Sequence, residues 1–321
     1  MKKHSFFRPI NLVFLAPIVF FICSHPSSYA ADAENVVTAD QCIIAGREEA
    51  AKGDSDKAIE SFHEAISLDP ESLFAYVDLG NLYSRRGDLD KAIESFDKAI
   101  SLDPENLYAY GGLGNLYFRK GNLDKAIECY NKAISLAAED SSAYVGLGNI
   151  YFSQGNADQA IESYNKALSL NPQDLYSYVG LGNIYSSQGN ADKAIESFNK
   201  AVSLNAKDSN VYASLGNAYL RKGDAQKAIE SFDKAVSLND KDSNAYAGLG
   251  NVYLQKDDAQ KAIELFDKAL SLDARNAMAY YNLGMAHLSL HKKDSALKQY
   301  AILNNLNKDL AAQLYEKIQS S

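Results

Sequence analysis

Tyr144-Val145-Gly146-Leu147-Gly148-Asn149 decides the fold, because near copies of it return every 34 residues along the chain. The copies are Tyr76–Asn81, Tyr110–Asn115, Tyr178–Asn183, Tyr212–Asn217 and Tyr246–Asn251. A fixed period of this length marks a stacked array, in which each unit buries its apolar face on its neighbours instead of in a closed core. Counting Leu73 as the first place, the 34-residue frame runs from Ala39 to Leu310 without insertion or deletion, which makes eight units. Glycine holds the eighth place in all eight units, from Gly46 to Gly284, and alanine the twentieth, from Ala58 to Ala296.

Within a unit, Tyr144, Leu147, Ile150 and Tyr151 share one helical face, and Ala160, Ile161, Tyr164, Ala167 and Leu168 repeat the pattern on a second helix. Gly155 stands where the first helix should end and Asn156 where the second should be capped, with Asp158 favoured by the helix dipole. Asp174, Asp208 and Asn276 are the equivalent caps between units. Small residues at the eighth, twentieth and twenty-seventh places let the two helices approach. Tyr83, Phe96, Tyr117, Tyr130, Tyr185 and Phe198 are read as core.

Tyr76, Leu79, Gly80, Tyr83, Ala92, Phe96 and Pro104 together resemble the consensus of the tetratricopeptide repeat family, and the resemblance spans residues 39–310. It implies an all-α fold, an α-solenoid: a right-handed superhelix of eight helix-turn-helix repeats whose first helices line a concave groove that usually binds a peptide or protein segment. The end units depart from the pattern. The first has Cys42, Ala45 and Glu49 at consensus places, and the last has His287, His291 and Leu303, as expected of units facing water on one side. Leu314 and Ile318 follow at four-residue spacing, so residues 311–321 are expected to form a C-terminal capping helix. Pro172 is kept, whereas Ala138, Ala206, Asp240 and Ala274 replace the proline and should loosen the turn between units.

The chain opens differently. Lys2, Lys3 and Arg8 precede an apolar run from Ile10 to Cys23 and small residues at Ser28 and Ala30. This order reads as a signal peptide over residues 1–30, followed by a short linker, residues 31–38. The run falls short of the roughly 20 residues that a membrane span needs. Bulky Ile22 before Cys23 speaks against lipidation. The expected location is the periplasm or the exterior, with membrane attachment only through a retained N-terminal segment. Cleavage leaves 29 basic residues (32 less Lys2, Lys3 and Arg8) against 41 acidic ones, a net charge of −12. Such a chain repels phosphate backbones, so nucleic acid is not an expected partner.

No constellation of catalytic residues stands out, no cofactor or metal is expected, and the chain is read as non-enzymatic. His287 and His291 are four apart on one helix but lack the glutamate of His-Glu-x-x-His. Cys42 and Cys129 lie too far apart along a stack to form a disulfide. Lys and Glu recur on the second helices, as in Lys193 to Glu196, and read as a charge-paired outer face.

In the family the groove is lined mainly by the second, fifth, sixth, ninth, twelfth and thirteenth places. Here the ninth place forms an asparagine ladder, Asn81, Asn115, Asn149, Asn183, Asn217 and Asn251. Asparagine is a weaker helix former than alanine by roughly 0.6 kcal/mol, and its amide can donate to and accept from an extended backbone. An internal helix contact is the other explanation. At the sixth place Gly112, Gly146, Gly180 and Gly248 sit in mid-helix, where glycine costs about 1 kcal/mol. Since packing of the two helices accounts only for the eighth place, these are expected to bare the groove to a ligand backbone, flanked by Phe74, Tyr108, Tyr176, Phe118 and Phe152. The residues of a C-terminal carboxylate clamp are replaced by Val77, Asp78, Tyr108 and Gly112. The expected function is a scaffold for a protein or peptide partner. The alternatives are a self-assembling (homo-oligomer) or subunit-bridging component, and a carbohydrate binder.

Overall fold

The computed structural model describes residues 37–321, so the expected signal peptide and most of the linker lie outside the described residues. The described chain contains seventeen helices, and no strand is found among these residues. They pair as α1 (Ala39–Lys52) with α2 (Ser55–Leu68), α3 (Leu73–Arg86) with α4 (Leu89–Leu102), α5 (Leu107–Arg119) with α6 (Leu123–Leu136), and α7 (Ser141–Ser153) with α8 (Ala157–Leu170). The array continues with α9 (Leu175–Ser187) and α10 (Ala191–Leu204), α11 (Ser209–Lys222) and α12 (Ala225–Leu238), α13 (Ser243–Gln255) and α14 (Ala259–Leu272), and α15 (Ala277–Ser289) and α16 (Lys293–Leu306). A last helix, α17 (Lys308–Ser320), closes the stack.

Each helix touches its sequence neighbours, and the first helices also touch one another along the series α1, α3, α5 to α15, whereas no second helix touches another. Helices in mutual contact occupy the shorter, inner radius of a curved stack. The first helices therefore form the concave face and the second helices the convex one.

The turn inside a pair is set by one left-handed residue. Gly155 holds it at φ 78° in the unit described above, and only Asp257 (φ 60°) and His291 (φ 57°) hold it without glycine. The turn between pairs does not depend on proline. In each unit the backbone N–H of the cap residue donates to the carbonyl three residues back, as from Asn106 to Asp103 (3.1 Å) and from Asp140 to Ala137 (3.0 Å). Where that residue is Asp or Asn, its side chain also accepts an N–H, as Asn205 does from Lys207 at 3.1 Å. This Asx turn closes the loop around Ala206, Asp240 and Ala274 as it does around Pro172, whereas the loop around Ala138, preceded by Ala137, has only the backbone bond. The caps at Asp174, Asp208 and Asn276 form as expected, while Asn156 occupies its cap position without a side-chain bond.

The core repeats with the frame. Phe96, Tyr130, Tyr164, Phe198, Phe232 and Phe266 on the second helices are fully buried, each contributing on the order of 2–3 kcal/mol by leaving water. Tyr83 is buried as well, but Tyr117 and Tyr185 are half-buried beneath lysines. At the end of the stack Leu314 from α17 fills the space against Gly284, and Ala311, Leu314 and Ile318 are fully buried. Among the described residues no helix is long and apolar enough to cross a membrane.

Candidate functional site

The ladder lies where the first helices present it. Asn81, Asn115, Asn149, Asn183 and Asn217 are exposed on the concave face and Asn251 is half-buried there. Its six amides are not equivalent. Where the buried ring of the same repeat is a tyrosine, its hydroxyl donates to the ladder carbonyl: Tyr130 to Asn115 Oδ1 at 2.8 Å and Tyr164 to Asn149 Oδ1 at 2.6 Å. Asn251 Oδ1 accepts instead from Asn282 Nδ2 at 2.7 Å. In these three amides the scaffold engages the carbonyl oxygen. Asn81, Asn183 and Asn217 sit beside phenylalanines, so their carbonyls have no tyrosine hydroxyl to accept from. An internal contact thus engages three of the six ladder amides.

Burial raises both tyrosine pKa values. Tyr164 reaches about 12, with Asp174 adding to the effect of burial, and Tyr130 rises further, with Cys129 as the smaller cause. Both hydroxyls therefore stay protonated and remain donors at neutral pH.

The sixth-place glycines have a different role from the one expected. A β-carbon at Gly112, Gly146, Gly180 or Gly248 would lie 2.3 Å from the ring of Phe96, Tyr130, Tyr164 or Phe232 respectively. Each of these rings belongs to the second helix of the preceding unit, and its other side already faces the eighth-place glycine of its own unit at 2.7–2.9 Å from a notional β-carbon. The glycines at both places are thus two halves of one socket. In these four units packing against the preceding ring, and not ligand access, leaves no room for a side chain at the sixth place, whereas Asp78, Ser214 and Asn282 hold that place elsewhere. Gly111, one residue earlier, has open space beyond it and does face the groove.

The aromatic residues flanking the groove separate as well. Phe74, Tyr108 and Tyr176, at the second place, are 60%, 68% and 70% exposed, far more than a large ring needs for packing. Phe152 is partly exposed, while Phe118 is half-buried against the core of its unit. Toward the C-terminal end the second place changes to Asn210 and Asn244, and the concave face deepens into a pocket of about 330 Å³ between α11, α13 and α15. The groove therefore has an aromatic half and an amide half. The switch from Tyr176 to Asn210 in the second place is the sequence signal for it.

Charged side chains on the groove are mostly tied to the scaffold. Arg119 Nη1 donates to the Ser84 carbonyl at 2.6 Å, and Arg221 reaches back to Ser186 in the same way at 3.1 Å. Arg47 pairs with Asp78 at 2.6 Å, yet burial outweighs this pairing and raises the Asp78 pKa. Among the described residues only one lysine of the second helices pairs with a glutamate, Lys261 with Glu264 at 3.1 Å, and Lys193, expected to pair with Glu196, instead covers a ring. Lys125, Lys193 and Lys227 lie 5.1–5.5 Å over the rings of Tyr117, Tyr185 and Tyr219. The eight-residue spacing of Tyr and Lys carried that signal.

Among the described residues no three His, Cys, Asp or Glu side chains are grouped to hold a metal ion. His287 is half-buried, with Nδ1 lacking a hydrogen-bond partner, and His291 is exposed at the turn. Cys42 and Cys129 are not joined, and burial pushes the Cys129 thiol up to about 11, so it is a poor nucleophile.

Sequence profiles described as TPR repeat match residues 80–121, 114–155, 148–189 and 182–223. Profiles described as Tetratricopeptide repeat match residues 42–72, 62–94, 213–277 and 247–303. A comparison with curated proteins finds no match. Among solved structures, a tetratricopeptide repeat protein from Parabacteroides merdae ATCC 43184 superposes with a TM-score of 0.56 at 23% identity, covering 77% of this chain and 98% of its own. Pseudomonas aeruginosa pilF gives 0.59 at 20% identity, covering 68% of this chain and 98% of its own. The APC/C hetero-tetramer Cut9-Hcn1 gives 0.66 at 20% identity over 87% of this chain and 54% of that one. At these identities the likeness is one of fold.

Proposed function

Since the chain belongs to the tetratricopeptide repeat family and is on that ground a protein-interaction scaffold, we propose that its concave face binds an extended segment of a partner protein outside the cytoplasm. The observation that carries this reading is the row of Phe74, Tyr108 and Tyr176, whose rings stand exposed on one inner face. Large rings left in water on a stable scaffold are candidates for binding anchors, because docking a partner removes their apolar area from water. The N–H groups of the ladder amides can donate to backbone carbonyls of the same segment. Export rests on the basic, apolar and small-residue order of residues 1–30.

The test replaces Tyr108 and Tyr176 by alanine together and compares proteins retained from envelope extracts. Proteins held by the natural chain should be lost by the variant at an unchanged melting temperature. Equal retention by both overturns the groove reading. A reporter fused after residue 38, active only outside the cytoplasm, checks export separately.

A further inference from the structure

The amide half of the groove contains a carboxylate that the scaffold leaves half satisfied. Asp242 lines the pocket between α11, α13 and α15 and is 8% exposed. Its Oδ1 caps α13 by accepting the N–H groups of Asn244 and Ala245, both at 3.0 Å. Its Oδ2 is buried and has no hydrogen-bond partner. At the same place in other units Asp140, Asp174 and Asp208 are half-buried, in reach of water. A buried carboxylate oxygen without a donor is costly, and a donor arriving with a ligand removes that cost.

The pocket wall names the donor. It carries amides, notably Asn217, Asn244 and Asn251, and no Lys, Arg or His. An anion would meet the Asp242 charge, whereas a cation finds a carboxylate and several amide oxygens. Resting on the reading of the concave face as a peptide groove, we infer that this pocket takes the lysine or arginine side chain of a basic partner segment. Its N–H groups donate to Asp242 Oδ2 and to the carbonyls of Asn217 and Asn244, while the segment's backbone follows the ladder. The donor enters as a rim side chain turns aside. Asn210 and Asn244 are exposed, and their amides make no hydrogen bond among the described residues that would hold them. The acidic balance of the chain, net charge −9, favours approach of such a segment.

The test selects short random displayed peptides on the full chain and on Asp242→Asn. Asparagine already caps α5 and α15 at the corresponding place, through Asn106 and Asn276, so the variant keeps its cap. Asp242→Ser, which also caps, is a second variant. The expected result is a Lys or Arg at one fixed position of the selected peptides, and binding about tenfold or more weaker to either variant. Replacing that residue by norleucine should weaken binding to the natural chain by a similar factor and have little further effect on the variants. Selected peptides without a cationic position, or with equal affinity for all three proteins, overturn the inference and leave the groove reading standing. Selective binding of neutral oligosaccharides at Asn217 and Asn251 overturns both.

Discussion

Gly111 and Gly112 are adjacent in α5 and differ in everything that matters for substitution. Alanine at either residue gains about 1 kcal/mol of helix propensity. At Gly111 nothing opposes the gain, since the β-carbon points into open space. At Gly112 the β-carbon falls 2.3 Å from Cζ of the Phe96 ring, and such overpacking costs about 1–3 kcal/mol. Gly111→Ala should therefore raise the urea midpoint and Gly112→Ala lower it. Equal shifts in the same direction would mean that the ring is not wedged between the two units. The sequence showed that a sixth-place glycine needs an explanation, but not which side of the helix supplies it. Places five and six lie about 100° apart on a helix, and the boundary between groove and interface falls between them. A one-helix periodicity contains no information about where the neighbouring unit's ring sits.

At the scale of the element, register, helix pairing and most caps were legible, because they depend on local chemistry at fixed spacing. What escaped was contributed by a second element. The division of the ladder by Tyr130 and Tyr164, the lysines over tyrosine faces, and Asp242 being buried where Asp140, Asp174 and Asp208 are only half-buried all need two helices to be placed. Helix α15 shows a further case. His287 stands where the six inner units have tyrosine, and burial lowers its pKa below the ordinary 6.5, with Asp267 opposing and Lys292 reinforcing the shift. A histidine with a lowered folded-state value binds fewer protons folded than unfolded. Stability is then lost as pH falls through 6.5 toward the lower folded value. Replacing His287 by tyrosine should flatten melting temperature against pH in that window. A natural chain with a flat profile between pH 7 and 5 would refute the assignment.

The whole molecule is an array whose two ends are the problem, because an inner unit is covered on both sides and an end unit is not. The C-terminal end is covered by α17, with Leu314 standing against Gly284 as a ring does elsewhere. Deleting residues 308–321 uncovers Tyr280, Tyr281 and Leu303, which pack in the cluster beneath α17. The truncated chain should melt several degrees lower and scatter light as a species larger than the monomer at rising concentration. A truncated chain that stays monomeric with unchanged melting would show that α17 is dispensable. The repeat architecture was legible across the whole molecule because one residue pattern recurs eight times; the depth of the groove was not, since it arises from the curvature of the stack.

Phe96, Tyr130, Tyr164 and Phe232, each held between glycines of two successive units, also separate shape from taste. The angle from one unit to the next is set at the socket, from behind, by residues that no ligand touches. The second, fifth and ninth places are then free to vary like the letters on a rigid strip of type. A lineage, or a designer, can rewrite what the strip reads one character at a time while the strip keeps its bend.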